Sequence, residues 1–586
     1  MPPDCFETHG AASALTFLLC KHRIMTESRA IGRRAIWVGV SCSAVCLGYF
    51  YALDHLVFSS GSFSPIFRFL LTPDVATAWV AVLISLLAVL WGRPAPILRL
   101  VELLADRALW VALLSVALIA LGAVVIYHDY PLSMDEYAGV FQSRIFASGH
   151  AIAVLPAGYL DWLVVRGFNG EFLVASRETG QIIEAYWPGF ALLLAPFQLL
   201  RAPWLCNAML AGLALYLVYW ITLQITGDKR AAGWSLLFSI SSSAFVANAI
   251  SYYSMQAHLT ANLLFVALLM RQNRYSAFGA GLVGSLALTL HNPVPHTLFA
   301  IPWLIAMATD RRQWQFAPPI ILGYLPGLSL GLGWLLLRSD IESAAHQVSS
   351  LSAMTRGVFT WPSAALLNVR AASLVKMWIW VVPCLFIFAI LGCARYRGNP
   401  HVRLLACSAI LTFVGYLFVT FDQGHGWGYR YFHSAWGAIP ILAACAMTDR
   451  SDGARRFISF AGAAAILSLV ITIPFQLSQI DAFVSQHLAQ LGAPRRPGNN
   501  VYFIRPSGGF YVADMVQIDP FLRNKDLYLI SRGTELDAEM VHLNWPRAAK
   551  IASGRAYEQW YLGPEDHRST IPGIVGDKQF RLLARP

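Results

Sequence analysis

Apolar runs of bilayer-crossing length recur along most of this chain, and nothing in it constrains the fold more. A helix rises 1.5 Å per residue, so a hydrocarbon core of about 30 Å asks for roughly 20 mainly apolar residues in succession. Runs at or near that length fall at 35–58, 75–92, 108–127, 204–226, 231–250, 253–270, 275–291, 295–309, 317–337, 372–394, 402–421, 434–448 and 456–474. Lipid offers no water to satisfy backbone N–H and C=O groups, so each run is expected as a helix. The fold class that follows is an all-α polytopic membrane protein with about thirteen spans, and a composition 57% hydrophobic and only 13% charged agrees with it.

A formal net charge of +11 would suggest nucleic acid in a soluble chain. Here the basic residues stand in short clusters between apolar runs, where they set orientation, and a nucleic-acid partner is disfavoured. Arg93/Arg99/Arg107, Lys229/Arg230, Arg271/Arg274, Arg311/Arg312, Arg395/Arg397/Arg403 and Arg450/Arg455/Arg456 fall on the same side as an N-terminal tail carrying Lys21, Arg23, Arg29, Arg33 and Arg34. By the positive-inside rule that side is cytosolic. The tail, residues 1–34, reads as cytosolic and not as a removed signal, with Met25 an alternative start. The opposite face receives a long loop at 128–203, a second at 338–371, a short one at 422–433, and the C-terminal segment.

Pro188 to Leu200 is too short to span and is expected as an interfacial or re-entrant helix with Pro188 near its first turn. Residues 275–309 read as two short helices broken at His291-Asn292-Pro293-Val294-Pro295-His296, a bend lining a polar cavity. Past Pro474 the composition turns polar. Residues 475–586 are expected as a small α/β domain on the outer face, with β-type runs at Val501–Ile504, Phe510–Val512 and Leu527–Ile530. The transmembrane domain is then 35–474. The nine cysteines show no metal-ligand spacing, and those inside apolar runs, such as Cys42 and Cys46, read as packing residues.

Charge at a bilayer edge nominates chemistry. Asp129, Asp135 and Glu136 follow directly on the third run. A carboxylate placed there can take the proton of an incoming hydroxyl as a general base, or a neighbouring pair can hold a divalent cation against a phosphate. The plain alternative is a solvated loop whose Asp caps a helix over Tyr137–Ala147. On a later outer loop, Gly424-His425-Gly426-Trp427-Gly428-Tyr429-Arg430-Tyr431-Phe432-His433 sets one arginine among aromatic residues. Arg430, with Tyr431 and His425 beside it, suits the phosphate of a lipid carrier; the alternative is an aromatic belt with a snorkelling arginine. His258, His291 and His296 are intramembrane or membrane-edge histidines, either functional or hydrogen-bonded packing residues. Glu184 and Tyr186 precede the interfacial helix, and Arg144 is a further phosphate candidate that equally suits a solvated surface. No three-ligand zinc pattern occurs.

Tyr130-Pro131-Leu132-Ser133-Met134-Asp135-Glu136-Tyr137, continuing to Phe141-Gln142 and Phe146-Ala147-Ser148-Gly149, looks like the acidic first outer loop of the GT-C superfamily of polyprenyl-phosphate-sugar glycosyltransferases. The broad group is that of the lipid A aminoarabinose transferases and protein O-mannosyltransferases. Tyr186-Trp187-Pro188-Gly189-Phe190 with Leu192-Leu193-Leu194-Ala195-Pro196 resembles the segment that closes that loop, and Gly428-Tyr429-Arg430-Tyr431-Phe432 is similar to a later Gly-Arg-Tyr-Phe element. The resemblance covers roughly 108–475. It departs in having two spans before the one that leads into the acidic loop, and in Met134 where a small residue is commoner.

The resemblance implies a polyprenyl-phosphate-linked sugar as donor, inversion at the anomeric carbon, Asp135 as base, Glu136 as its partner or cation ligand, and Arg430 on the lipid phosphate. It further implies that Asp135 and Arg430 converge on one pocket at the lipid boundary, and that the acceptor is a cell-envelope glycan, a lipid or a protein hydroxyl. The expected setting is a bacterial inner membrane, with the C-terminus periplasmic. The rival class is a transporter or lipid flippase, disfavoured by the lack of an internal repeat and by the clustering of ionisable candidates on one face; a non-catalytic assembly subunit is a second rival.

Overall fold

The computed structural model describes residues 33–53, 65–344, 360–419, 426–449, 454–492 and 499–563. His425, and residues 345–359 within the loop expected at 338–371, lie outside the described residues. Seven described helices are long and apolar enough to cross a membrane: Arg33–Ala52, Pro73–Leu90, Ala108–Val125, Leu205–Thr226, Arg311–Glu342, Pro400–Phe418 and Arg455–Ala489. Four more apolar helices, Gly189–Leu199, Met255–Leu269, Val294–Thr309 and Leu385–Arg395, are shorter.

The difference from thirteen uniform spans has local causes. The run at 231–250 divides into Lys229–Ile240 and Ser243–Ala249 at a serine-rich break. The run at 372–394 divides into Ala364–Ile379 and Leu385–Arg395, with Cys384 at φ 68° between them. The last run does not stop at Pro474: a π-helical turn at Ser468–Thr472 absorbs the proline, and the helix resumes over Ile473–Ala489. The basic connection at Arg93–Arg107 is itself a helix, Pro94–Asp106, whose buried residues Ile97, Val101 and Ala105 recur at helical spacing.

The chain divides into two compact units. The first gathers 1–115, 212–247 and 361–477. In it Lys376 Nζ meets Asp74 Oδ2 at 2.9 Å with both side chains 1% exposed, and Trp380 Nε1 donates to Asp74 Oδ1 at 2.7 Å. The second gathers 116–211, 248–360 and 478–586. Its helices are α1 (Met134–Ala147), α2 (Gly189–Leu199), α3 (Met255–Leu269), α4 (Arg274–Thr289), α5 (Val294–Thr309), α6 (Ala317–Ala344) and α7 (Thr534–Asn544). Small residues let α4 and α6 touch along their backbones: a Cβ on Gly281 would lie 2.3 Å from the carbonyl oxygen of Ile320, and one on Gly327 2.3 Å from that of Ser285.

The loop at 128–203 holds a sheet the sequence analysis did not foresee, β1 (Ala153–Val154), β2 (Leu173–Ala175) and β3 (Gln181–Glu184), antiparallel in the order β1-β3-β2. The C-terminal segment forms a second, β4 (Asn500–Ile504), β5 (Asp526–Ile530), β6 (Ala549–Ser553) and β7 (Tyr557–Tyr561), in the order β5-β4-β7-β6. Strands were expected at 501–504 and 527–530, and these are β4 and β5. The run Phe510–Val512 is not a strand; Tyr511 takes φ 52° and Val512–Met515 coil into a 3₁₀ turn. One apolar core joins loop and domain: Tyr137, Phe141, Leu160 and Ile182 pack with Val501, Phe503, Leu529 and Trp560.

Candidate functional site

Helix α1 begins at Met134, three residues before the expected start, with Ser133 at the N-cap in extended conformation. The cause is readable: Ser133-x-x-Glu136 is capping-box spacing, in which the third helical residue turns back to the N-cap N–H. Glu136 does this and more. Its Oε2 accepts from Leu132 N at 3.0 Å, Ser133 N at 3.1 Å, Tyr127 O–H at 3.2 Å and Ser133 Oγ at 3.3 Å, while Oε1 accepts from Tyr252 N at 2.9 Å. The side chain has no exposed surface. Glu136 is therefore a knot tying together the end of the preceding span, the first turn of α1 and the 250–254 turn.

Asp135, one residue earlier on the helix, is only partly buried and accepts from Tyr186 O–H at 2.5 Å. Tyr186 lies in turn on His291, ring centroids 3.9 Å apart. Beneath it the backbone is pinned: Trp187 N donates to His291 O at 3.1 Å, and a Cβ on Gly189 would lie 2.3 Å from Thr289 Oγ1 and 2.7 Å from the Thr289 carbonyl. The Tyr-Trp-Pro-Gly segment thus docks on the break between α4 and α5. Arg338 of α6 holds the loop from the other side through Ala185 O at 2.7 Å and Gly170 O at 2.9 Å, its guanidinium paired with Glu342 at 2.6 Å.

Glu184, at the end of β3, is 2% exposed, and its Oε1 has no hydrogen-bond partner among the described residues. Its Oε2 lies 4.0 Å from where a Cβ of Gly139 would stand. Gly139 is one turn beyond Asp135, hence on the same side of α1. Burial pushes the Glu184 carboxyl well above the ordinary range and favours its neutral form. His258 on α3 is fully buried, and neither ring nitrogen has a hydrogen-bond partner among the described residues. His296 is satisfied, by Asn262 Oδ1 at 2.7 Å and Tyr324 O–H at 2.7 Å, as a packing histidine would be.

Asp129 sits at φ 48°, and its carboxylate accepts from Tyr252 O–H. Burial raises its pKa, against the opposing pull of that hydrogen bond and of the Arg144 guanidinium. Asn207 Nδ2 fixes the facing turn through Ser251 O at 2.7 Å and Tyr253 O at 2.9 Å, and Tyr253 Oη lies 3.1 Å from Ser133 Oγ. Within the second unit, then, Asp135, Tyr186 and His291 are in direct contact, Glu184 lies one turn along, and Glu136 and Arg144 serve the surrounding frame.

Arg430 and Tyr431 belong to the first unit. Arg430 is 4% exposed with its Cζ 5.8 Å from the Tyr431 ring. Arg370, which the sequence analysis passed over, is 1% exposed and stands 5.7 Å from the same ring. Tyr416 stacks on Tyr431 at 4.8 Å. Two guanidiniums sharing one aromatic ring are a dense positive site for a belt residue. Among the described residues no three His, Cys, Asp or Glu side chains form a group that could hold a metal ion. Asn262, Tyr324 and Arg338 carried no sequence signal beyond being polar in apolar surroundings.

No family profile matches the chain, and no curated protein sequence matches it. Among solved structures, two that are similar to it are forms of one protein. ArnT from Cupriavidus metallidurans in the apo state has a TM-score of 0.45 at 12% identity, over 77% of this chain and 99% of that one. ArnT from Cupriavidus metallidurans bound to undecaprenyl phosphate has a TM-score of 0.47 at 13% identity, over 77% of this chain and 98% of that one.

Proposed function

We propose that the chain is a membrane glycosyltransferase that moves a sugar from a polyprenyl-phosphate donor to an extracytoplasmic acceptor hydroxyl with inversion. The observation that carries the reading is the Asp135–Tyr186–His291 contact: a partly buried carboxylate, oriented by a tyrosine that is itself held on a histidine, at the start of a helix beside a membrane span.

In the proposed step Asp135 takes the acceptor's hydroxyl proton as the acceptor oxygen bonds to the anomeric carbon. The bond from that carbon to the phosphate oxygen breaks on the opposite face, and polyprenyl phosphate leaves with the electron pair. Tyr186 holds the carboxylate in line, a contribution through orientation. Glu184 and His258, buried with polar atoms left over, are proposed to meet the sugar's hydroxyls, since such atoms are costly without a partner. Arg430, and with it Arg370, is proposed to neutralise the lipid phosphate. The face is taken as extracytoplasmic from the distribution of basic clusters.

The test uses the full chain in nanodiscs with a panel of undecaprenyl-phosphate-linked sugars and reads released undecaprenyl phosphate. Asp135→Asn should abolish release while leaving thermal half-life unchanged. Full release by that variant would overturn the assignment of the base, and no release by the unaltered chain from any donor would overturn the activity.

A further inference from the structure

The C-terminal domain reaches the first turn of α1 in four ways. The carboxyl of Asp514, on the 3₁₀ turn Val512–Met515, faces the backbone N–H of Met134, the first residue of α1. Gln517 Nε2 donates to Pro131 O at 2.7 Å and, at 3.0 Å, to Asp514 O, so one amide ties the acidic loop to the turn that presents Asp514. Tyr137 O–H donates to Ile518 O at 2.5 Å. Ile518 and the β4, β5 and β7 strands share one apolar core with Met134, Tyr137 and Phe141.

These contacts bracket Asp135 on both sides in sequence, at 131, 134 and 137. The first four N–H groups of a helix have no partner within it, and what satisfies them fixes where the turn begins and how it is rotated. For α1 the group facing one of those N–H donors is a carboxyl 380 positions later, held there by the Gln517 bonds to Pro131 O and Asp514 O. We propose that Asp514 and Gln517 are positioning residues for the transfer reaction: the C-terminal domain seizes the first turn of α1 and sets the direction in which Asp135 faces its substrate. The inference rests on the reading of Asp135 as the base, and it gives the C-terminal domain a part in the chemistry that its sequence did not announce.

The carboxyl of Asp514 is in keeping with that placement. Burial pushes it up to about 7, eased by the facing N–H of Met134 and reinforced by the charges on Asp135 and Glu136. A side chain held there against that cost is held by its surroundings.

The experiment compares the full chain with Asp514→Ala, Asp514→Asn and Gln517→Ala in nanodiscs, by two readouts. Steady-state release of undecaprenyl phosphate from the donor accepted by the unaltered chain should show kcat lowered about ten- to hundredfold in Asp514→Ala, the scale expected for a misaimed catalytic group, with KM for the donor unchanged. Asp514→Asn, whose amide oxygen still faces the Met134 N–H, should recover most of that rate. Hydrogen exchange at the Met134 and Asp135 amides should quicken in Asp514→Ala and return in Asp514→Asn.

Quickened exchange with an unchanged kcat would show that the contact is merely structural and overturn the proposal, as would unchanged exchange. If Asp514→Ala does not fold, Gln517→Ala decides, since it removes only the ties to Pro131 and Asp514: a lower kcat at unchanged KM supports positioning and an unchanged kcat overturns it. Failure of the unaltered chain to release undecaprenyl phosphate defeats the glycosyltransferase reading and, with it, positioning for that reaction. The exchange readout then still tells whether Asp514 holds the turn, so the two failures are distinct.

Discussion

Replacing Glu136 by Gln should loosen the acidic loop without touching the chemistry, whereas replacing its neighbour Asp135 by Asn should do the reverse. Glu136 accepts five hydrogen bonds with no exposed surface. A glutamine keeps one acceptor oxygen. If it serves the four donors at Oε2, the new NH₂ meets the Tyr252 N–H, and one buried donor is orphaned at about 1–3 kcal/mol. The remaining bonds lose their charge assistance, at roughly 0.5 kcal/mol each. The total is about 3–5 kcal/mol of local stability, or some two to four orders of magnitude in opening equilibrium. Asp135 accepts from Tyr186 O–H, a bond that an asparagine oxygen still accepts, and the expected loss there is under about 1 kcal/mol. The assay is hydrogen exchange at the Leu132, Ser133 and Tyr252 amides, the backbone donors to Glu136. Glu136→Gln should expose them by a hundredfold or more while transfer falls in proportion to opening; Asp135→Asn should leave them protected and abolish transfer. If Glu136→Gln keeps those amides protected and still abolishes transfer, Glu136 acts in the chemistry and the structural assignment is wrong.

Other outcomes follow from the same geometry. Gly189→Ala should cost about 1–3 kcal/mol, because the new Cβ meets the Thr289 backbone as well as its side chain; Thr289→Ala should therefore fail to restore thermal half-life or transfer. Lys376→Met should destabilise the protein by about 3–5 kcal/mol by stranding Asp74, and the double variant with Asp74→Leu should recover most of that loss in detergent half-life measurements. Asp514, facing Asp135, Glu136 and Tyr130, holds a proton up to about 7 in the folded chain but only to 3.8 when unfolded. Between those limits the folded chain binds the extra proton, so stability falls as pH rises through the window, by on the order of 4 kcal/mol in all; Asp514→Asn should flatten the decline between pH 5 and 7.5.

The loop's chemistry was partly legible before any coordinates. Ser133-x-x-Glu136 carries a helix start in its spacing, and a reading that began the helix at Tyr137 missed it by treating both carboxylates as one kind of residue. Tyr186 and His291 are 105 positions apart, yet each stood out, one beside a Trp-Pro-Gly turn and the other at a doubly proline-marked break. Arg338, Arg370 and Asp514 offered nothing comparable, since a single charged residue reads alike whether its partner is water or a backbone carbonyl 153 positions away, as for Arg338 and Ala185.

What the sequence determined by itself was whatever depends on length and local pattern: apolar runs that must be helical because lipid cannot hydrogen-bond a backbone, and turns marked by proline and glycine. Where the runs break was decided by tertiary structure, which can satisfy a helix end with a neighbour's carbonyl, as Trp380 O does for Ala244 N at 2.8 Å. It decided equally that of two adjacent carboxylates one is buried under five donors and the other faces outward, because the roughly 100° between successive helical residues acquires meaning only once each side of the helix has something to meet.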